Sequence, residues 1–262
     1  MQLPLFQVDA FSSRVFGGNP AAVVPLDTWL PESLMQAIAL ENNLSETAFF
    51  VREAAGHHVR WFTPTQEVDL CGHATLASAW VLFERLEPGL TRVEFASRSG
   101  PLSVTREADG LLALDFPARP PTPCALPEGL AEVLGARPRE TLQGARDRLA
   151  VFDTEAEVRA LTPDPERLRQ LPLFSVVPTA RGQDCDFVSR FFAPTAGVPE
   201  DPVTGSSHCT LVPYWAQVLG KTRLFARQVS ARGGELHCEA QGERVRIAGR
   251  AALYLEGTLQ LP

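Results

Sequence analysis

The residues best suited to chemistry lie in two glycine-centred blocks and one acidic strand entry. The blocks are Asp69-Leu70-Cys71-Gly72-His73-Ala74 and Asp201-Pro202-Val203-Thr204-Gly205-Ser206, each followed by an uncharged, small-residue run. A helix that starts directly after such a glycine leaves its first amides unpaired and partly positive. Gly72-His73 and Gly205-Ser206-Ser207 are therefore natural cradles for a carboxylate or phosphate. One such turn alone reads as close packing of small residues; its repetition beside polar side chains favours ligand binding.

Glu46 stands in Asn43-Leu44-Ser45-Glu46-Thr47-Ala48-Phe49-Phe50, at the entry of an apolar strand. Partial desolvation there raises a carboxyl pKa toward the range where it both takes and returns a proton. The competing reading is a solvated strand-end carboxylate. His73 is of a type that titrates near neutrality, and with Asp201 and Ser206 it completes an acid/base set. Taken singly, a histidine at a helix start is as a rule a cap or a structural donor. The set, not the residue, carries the expectation.

Cys71, His73, His208 and Cys209 are zinc-ligand types, but Cys-x-His with an adjacent His-Cys pair departs from zinc spacing, so no metal is expected. A Cys71–His73 nucleophile is disfavoured because residues two apart at a turn rarely face each other, although a helix N-terminus favours a reactive thiolate at Cys71. The loop Phe16-Gly17-Gly18-Asn19-Pro20 makes no dinucleotide fingerprint. It is either a turn that delivers Asn19 to the site or simply a turn. Arg232-Gly233-Gly234 reads as a hairpin, preceded by Gln228 and Ser230 as pocket residues.

These blocks must be held by something, and the chain compared with itself shows what. Arg60-Trp61-Phe62-Thr63-Pro64 returns as Arg190-Phe191-Phe192-Ala193-Pro194 after 130 residues, and Gly72 returns as Gly205 after 133. Two blocks in one order at nearly one offset indicate duplication. Four prolines within Pro117–Pro123 deplete amide donors and mark the linker. The domains are then 1–118 and 119–262, with the final strands crossing back to the first.

β-rich runs are expected at Phe6–Phe11, Ala21–Pro25, Thr47–Val51, Val59–Phe62, Arg92–Ala96 and Leu111–Phe116. In the second half they are Leu149–Phe152, Phe174–Val177, Phe187–Phe192, Gln228–Ala231, Glu235–Glu239, Arg244–Ile247 and Ala252–Leu255. Pro31–Glu41 has the spacing of a surface helix. His73–Phe83 and Ser206–Val218 are apolar helices expected to be surrounded on all sides. The economical architecture is a curled sheet round a central helix, made twice.

The 262 residues carry a formal charge of −7 and five scattered cysteines, Cys71, Cys124, Cys185, Cys209 and Cys238. An acidic chain without a basic face is no nucleic-acid or anionic-membrane binder. Unpaired thiols, no secretory pattern at the start and no apolar run of membrane length point to a cytoplasmic protein.

Val8-Asp9-Ala10-Phe11, Gly18-Asn19-Pro20-Ala21-Ala22-Val23, Ser45-Glu46-Thr47-Ala48-Phe49, Trp61-Phe62-Thr63-Pro64, Leu70-Cys71-Gly72-His73-Ala74-Thr75, Asp201-Pro202-Val203-Thr204-Gly205-Ser206 and Arg232-Gly233-Gly234 together resemble the phenazine-biosynthesis isomerase (PhzF-like) family, nearly end to end. The resemblance implies an α/β (α+β), diaminopimelate-epimerase-like fold of two similar domains, each a β-barrel around a central helix, with the site between them. It implies Glu46 as proton carrier, His73, Asp201 and Ser206 as its partners, and Asn19, Gly72, Thr75, Gly205, Ser207 and Gln228 around a small carboxylate metabolite. No cofactor or metal is implied, and a homodimer is.

One departure matters: related epimerases use a cysteine in each glycine turn, whereas this chain has Cys71 in the first and Thr204 in the second. That disfavours symmetric two-thiol racemisation. The leading expectation is a proton-moving isomerase; a one-thiol epimerase and a non-catalytic small-acid binder are the alternatives.

Overall fold

The computed structural model describes residues 1–54 and 56–261. Along the chain run β1 (Gln2–Ala10), β2 (Asn19–Leu26), α1 (Glu32–Asn42), β3 (Glu46–Glu53), β4 (Gly56–Phe62), the short β5 (Glu67–Val68), α2 (Gly72–Val81) with a π-helical turn at Leu82–Leu86, β6 (Arg92–Ala96), β7 (Leu102–Arg106) and β8 (Leu112–Pro117). The second half holds β9 (Thr122–Cys124), α3 (Leu130–Leu134), β10 (Glu140–Gln143), β11 (Asp147–Val151), α4 (Glu155–Ala160), α5 (Pro165–Arg169), β12 (Ser175–Arg181) and β13 (Phe187–Ser189). It ends with α6 (Gly205–Leu219), β14 (Arg223–Gln228), β15 (Gly234–Gln241), β16 (Arg244–Gly249) and β17 (Ala251–Gln260). The chain divides into two compact units, Met1–Asp115 with Ala248–Pro262, and Phe116–Ile247.

The strand pairings of the first unit recur in the second. β1/β2 is antiparallel, β2/β3 parallel, β3/β4 antiparallel, β4/β6 parallel and β6/β7 antiparallel. β10/β11, β11/β12, β12/β13, β13/β14 and β14/β15 follow in the same sequence of senses. A parallel neighbour requires a crossover. α1 supplies the first in unit 1 and α2 the second; α4 with α5, and then α6, supply them in unit 2. One further strand lies beside each first strand: β17 on β1, and β9 on β10. This is the duplicated barrel-around-a-helix architecture that the repeated blocks imply.

Both central helices lack charged residues because nothing around them can solvate a charge. In α2, Gly72–Ala79 and Val81 are buried against strands on several sides, and Ala74, Ala77, Ser78 and Ala79 are small enough for close approach. α6 differs from expectation at its end: Val218 is half exposed, so its enclosure stops about one turn early. Pro213 inside α6 cannot donate to the Cys209 carbonyl four residues back. The Arg119 amide supplies the missing bond at 2.9 Å.

Several boundaries differ from the sequence reading. The unit boundary falls at Asp115/Phe116 instead of after residue 118. The proline segment is not wholly irregular: Pro123 sits in β9, paired opposite Leu142 at a position that asks for no amide donor. The strand expected at Gln228–Ala231 lies earlier, at Arg223–Gln228, because Ser230–Gly233 closes a turn. β5, β7, β9, β10 and the short helices α3, α4 and α5 were not anticipated. Too few residues in each show a period.

Candidate active site

In unit 1, three chain segments bring four polar side chains together. α1 ends at Asn43, whose left-handed backbone (φ 49°) caps the helix and turns the chain so that Glu46 opens β3. Asn19 opens β2 after a loop in which Phe11 and Phe16 have positive φ, and the Phe16 amide donates to Asp9 Oδ2 at 2.8 Å. Gly18 in that loop has φ 64°, and a Cβ there would stand 2.1 Å from the Ala10 carbonyl oxygen, so only glycine fits. Cys71 is the N-cap of α2, and His73 lies in its first turn.

His73 is the hub. Its Nδ1 lies 3.3 Å from Asn19 Nδ2 and 3.4 Å from Cys71 Sγ. Its Nε2 lies 3.2 Å from Glu46 Oε2, close but without the angle of an aligned hydrogen bond. The Asn19 amide N–H faces Nδ1, so Nδ1 accepts and the ring proton sits on Nε2. Burial pushes the His73 pKa down to about 3. Burial therefore favours the neutral imidazole, against the expectation that His73 titrates near neutrality. Glu46 is the member that reaches outward, its side chain 17% exposed against 6% for His73.

Residues two apart at a turn rarely face each other, but here the extended backbone of the N-cap turns the Cys71 thiol toward the His73 ring. Glu46, Cys71 and His73 each offer a metal-ligand atom within 4.8 Å of the others. Sγ and the carboxylate nevertheless face opposite ring nitrogens. The three groups form a compact cluster beside the imidazole, with Cys71 Sγ near Nδ1 and Glu46 Oε2 near Nε2.

The start of α2 carries no side-chain cap, nor does that of α6. Thr204, the N-cap of α6, is a residue type that usually caps, but its hydroxyl is hydrogen-bonded to Asp201 Oδ2. Gln228 locks this turn: its Oε1 accepts from the Thr204 amide at 2.9 Å, and its Nε2 donates to the Asp201 carbonyl at 2.7 Å. Ser206 is half-buried in the first turn of α6. Thr75 and Ser207 are fully buried and donate to the carbonyls of Cys71 (2.5 Å) and Thr204 (2.8 Å) respectively. Thr75, Ser207 and Gln228 thus shape the turns from behind, while Gly72, His73, Gly205 and Ser206 form their leading edges.

Across the repeat, register decides which residues correspond. Thr47 pairs with Phe62 and Val176 with Phe192, so the counterpart of Glu46 is Ser175. Ser175 donates to the buried Asp147 at 2.7 Å. Counted back from the N-caps Cys71 and Thr204, the counterpart of Asp201 is Val68, not Asp69, whose side chain is 75% exposed. Duplication has kept the scaffold and placed the Glu–His row in one half.

Residues 8–257 match the family model described as phenazine biosynthesis-like protein. The chain belongs to the phenazine biosynthesis-like family. A Pseudomonas aeruginosa relative named an uncharacterized isomerase is 58% identical across the whole of both chains. The crystal structure of a PhzF-family protein from Enterococcus faecalis, 47% identical, superposes with a TM-score of 0.97 over all of both chains. The fold extends to a hydroxyproline epimerase from Agrobacterium vitis (TM-score 0.63, 12% identity, 98% of this chain and 92% of that one), a likeness of fold alone. No helix among the described residues is long and apolar enough to cross a membrane, which says nothing of a β-barrel.

Proposed function

We propose that this family member is a cofactor-independent isomerase that relocates a proton on a small carboxylate-bearing metabolite, with Glu46 taking and returning it. The observation that carries the reading is the row Asn19–His73–Glu46 at the uncapped start of α2. Glu46 abstracts the proton from carbon as a carboxylate; the electron pair left behind moves into the substrate's conjugated system; protonated Glu46 then returns the proton at the far end of that system. His73 stays neutral beside the carboxylate, and Asn19 fixes its tautomer. The Gly72 and His73 amides receive the substrate carboxylate at the positive end of α2.

In unit 2, Asp201 and Ser206 at the start of α6 are assigned a part in ligand binding and proton handling. The naming of close relatives as isomerases supports the reaction class. The test is a panel of small unsaturated and amino acids, screened first for a rise in melting temperature and then incubated with the protein in heavy water. A stabilising acid that gains deuterium at carbon supports the reading; stabilising acids that gain none overturn it.

A further inference from the structure

The two halves share a device that the motifs do not reveal. In unit 1, Arg60 of β4 grips Glu67 through Nε and Nη2, both at 2.7 Å, while its guanidinium lies 5.2 Å from the Phe62 ring centre. In unit 2, Arg190 grips Glu200 through Nε (2.7 Å) and Nη2 (2.9 Å) and lies 4.8 Å from the Phe192 ring centre. Each aromatic is two residues after its arginine, and each glutamate is four residues before a helix N-cap, Cys71 or Thr204. The loops between arginine and cap differ in length by three residues, since unit 2 inserts an extra turn around Pro194–Ala196. The four-residue spacing from glutamate to cap is nevertheless kept, and a generic surface ion pair has no reason to keep it.

We propose that Arg60–Glu67 and Arg190–Glu200 are paired positioning clamps that fix where the first amides of α2 and α6 point. A planar guanidinium fork on a carboxylate fixes orientation as well as distance, and the aromatic face below fixes the guanidinium plane. The anchor is then carried four residues along the chain to the cap. In unit 1 the same segment is braced by Arg98 on Glu67 (2.7 Å) and by Ser99 Oγ donating to the Asp69 carbonyl (2.8 Å). In unit 2 Arg190 Nη1 donates to the Leu161 carbonyl at 2.6 Å, and Gln228 braces the far end. The functional meaning of the clamps rests on the proposed use of these helix starts; their mechanical role does not.

The test uses the full chain carrying Glu67→Gln or Glu200→Gln, with Arg60→Lys and Arg190→Lys as second variants that keep the charge and lose the fork. Amide hydrogen exchange is read for peptides covering 64–72 and 196–206 against the helix bodies 74–81 and 208–218, with Arg223→Ala at an exposed ion pair as control. Each variant should speed exchange about tenfold or more in its own loop and leave the helix body within about twofold. In the unit 1 variants, Cys71 should also alkylate faster. Exchange no different from the Arg223→Ala control, an equal rise in the helix body, or loss of folding in both members of a variant pair would each overturn the clamp role. None of these readouts needs a substrate, so failure of the clamps is distinguishable from failure of the proton-carrier reading.

Discussion

Replacing His208 by Gln should remove part of the protein's acid sensitivity. His208 is fully buried in α6, its Nδ1–H donates to the Thr204 carbonyl at 2.8 Å, and its Nε2 has no hydrogen-bond partner among the described residues. Burial pushes its pKa from 6.5 down to about 4. The sign follows from proton binding. Between these values the unfolded chain holds a proton on this imidazole and the folded chain does not. Stability from this group is therefore fully present above pH 6.5 and is lost as pH falls toward 4. Near pH 5 the loss relative to pH 8 is about 2 kcal/mol. Urea unfolding of wild type and His208→Gln at both pH values, with the variant's own cost cancelled by taking the difference between them, should show a pH-dependent loss smaller by about that amount in the variant. An unchanged pH difference, or an NMR titration of His208 with a midpoint near 6.5, would refute the buried neutral assignment.

His73, buried with a pKa of about 3, should behave in the same sense: in NMR its ring signals should not titrate between about pH 8 and 5. Gly18→Ala should cost more than about 3 kcal/mol in a thermal or urea melt, combining a left-handed alanine with a Cβ driven into the Ala10 carbonyl. Thr204→Val should lower stability by about 1–3 kcal/mol, because the hydroxyl serves both Asp201 and Gln228; the isosteric side chain keeps the packing, so calorimetry isolates the polar contribution.

Much of this molecule is legible in the chain. The offset of about 130 residues, the two charge-free helices and the glycine before each are consequences of a barrel wrapped round a buried helix twice, and they survive in composition. Glu46, His73 and Asn19 were also identifiable, because each sits at an element boundary marked by Asn or Gly. What could not be read was the state and direction of the side chains. The neutrality of His73 depends on burial by segments far away in sequence. The contact between Cys71 and His73 depends on the extended backbone of one cap. Asp69 resembled the counterpart of Asp201 because both precede a glycine, yet one is solvated and the other is bonded to its own helix cap. The Arg60–Glu67 and Arg190–Glu200 forks had a signal in the constant distance from glutamate to cap, but only with the cap positions in hand.

The most direct test of the central claim is deuterium uptake at substrate carbon by Glu46→Gln protein, with the ligand identified by thermal shift and Cys71→Ser run beside it. The glutamine variant should still bind the ligand while its exchange falls on the order of 10²–10⁴-fold, and the serine variant should continue to exchange. Exchange at the wild-type rate in the Glu46→Gln protein would contradict that claim.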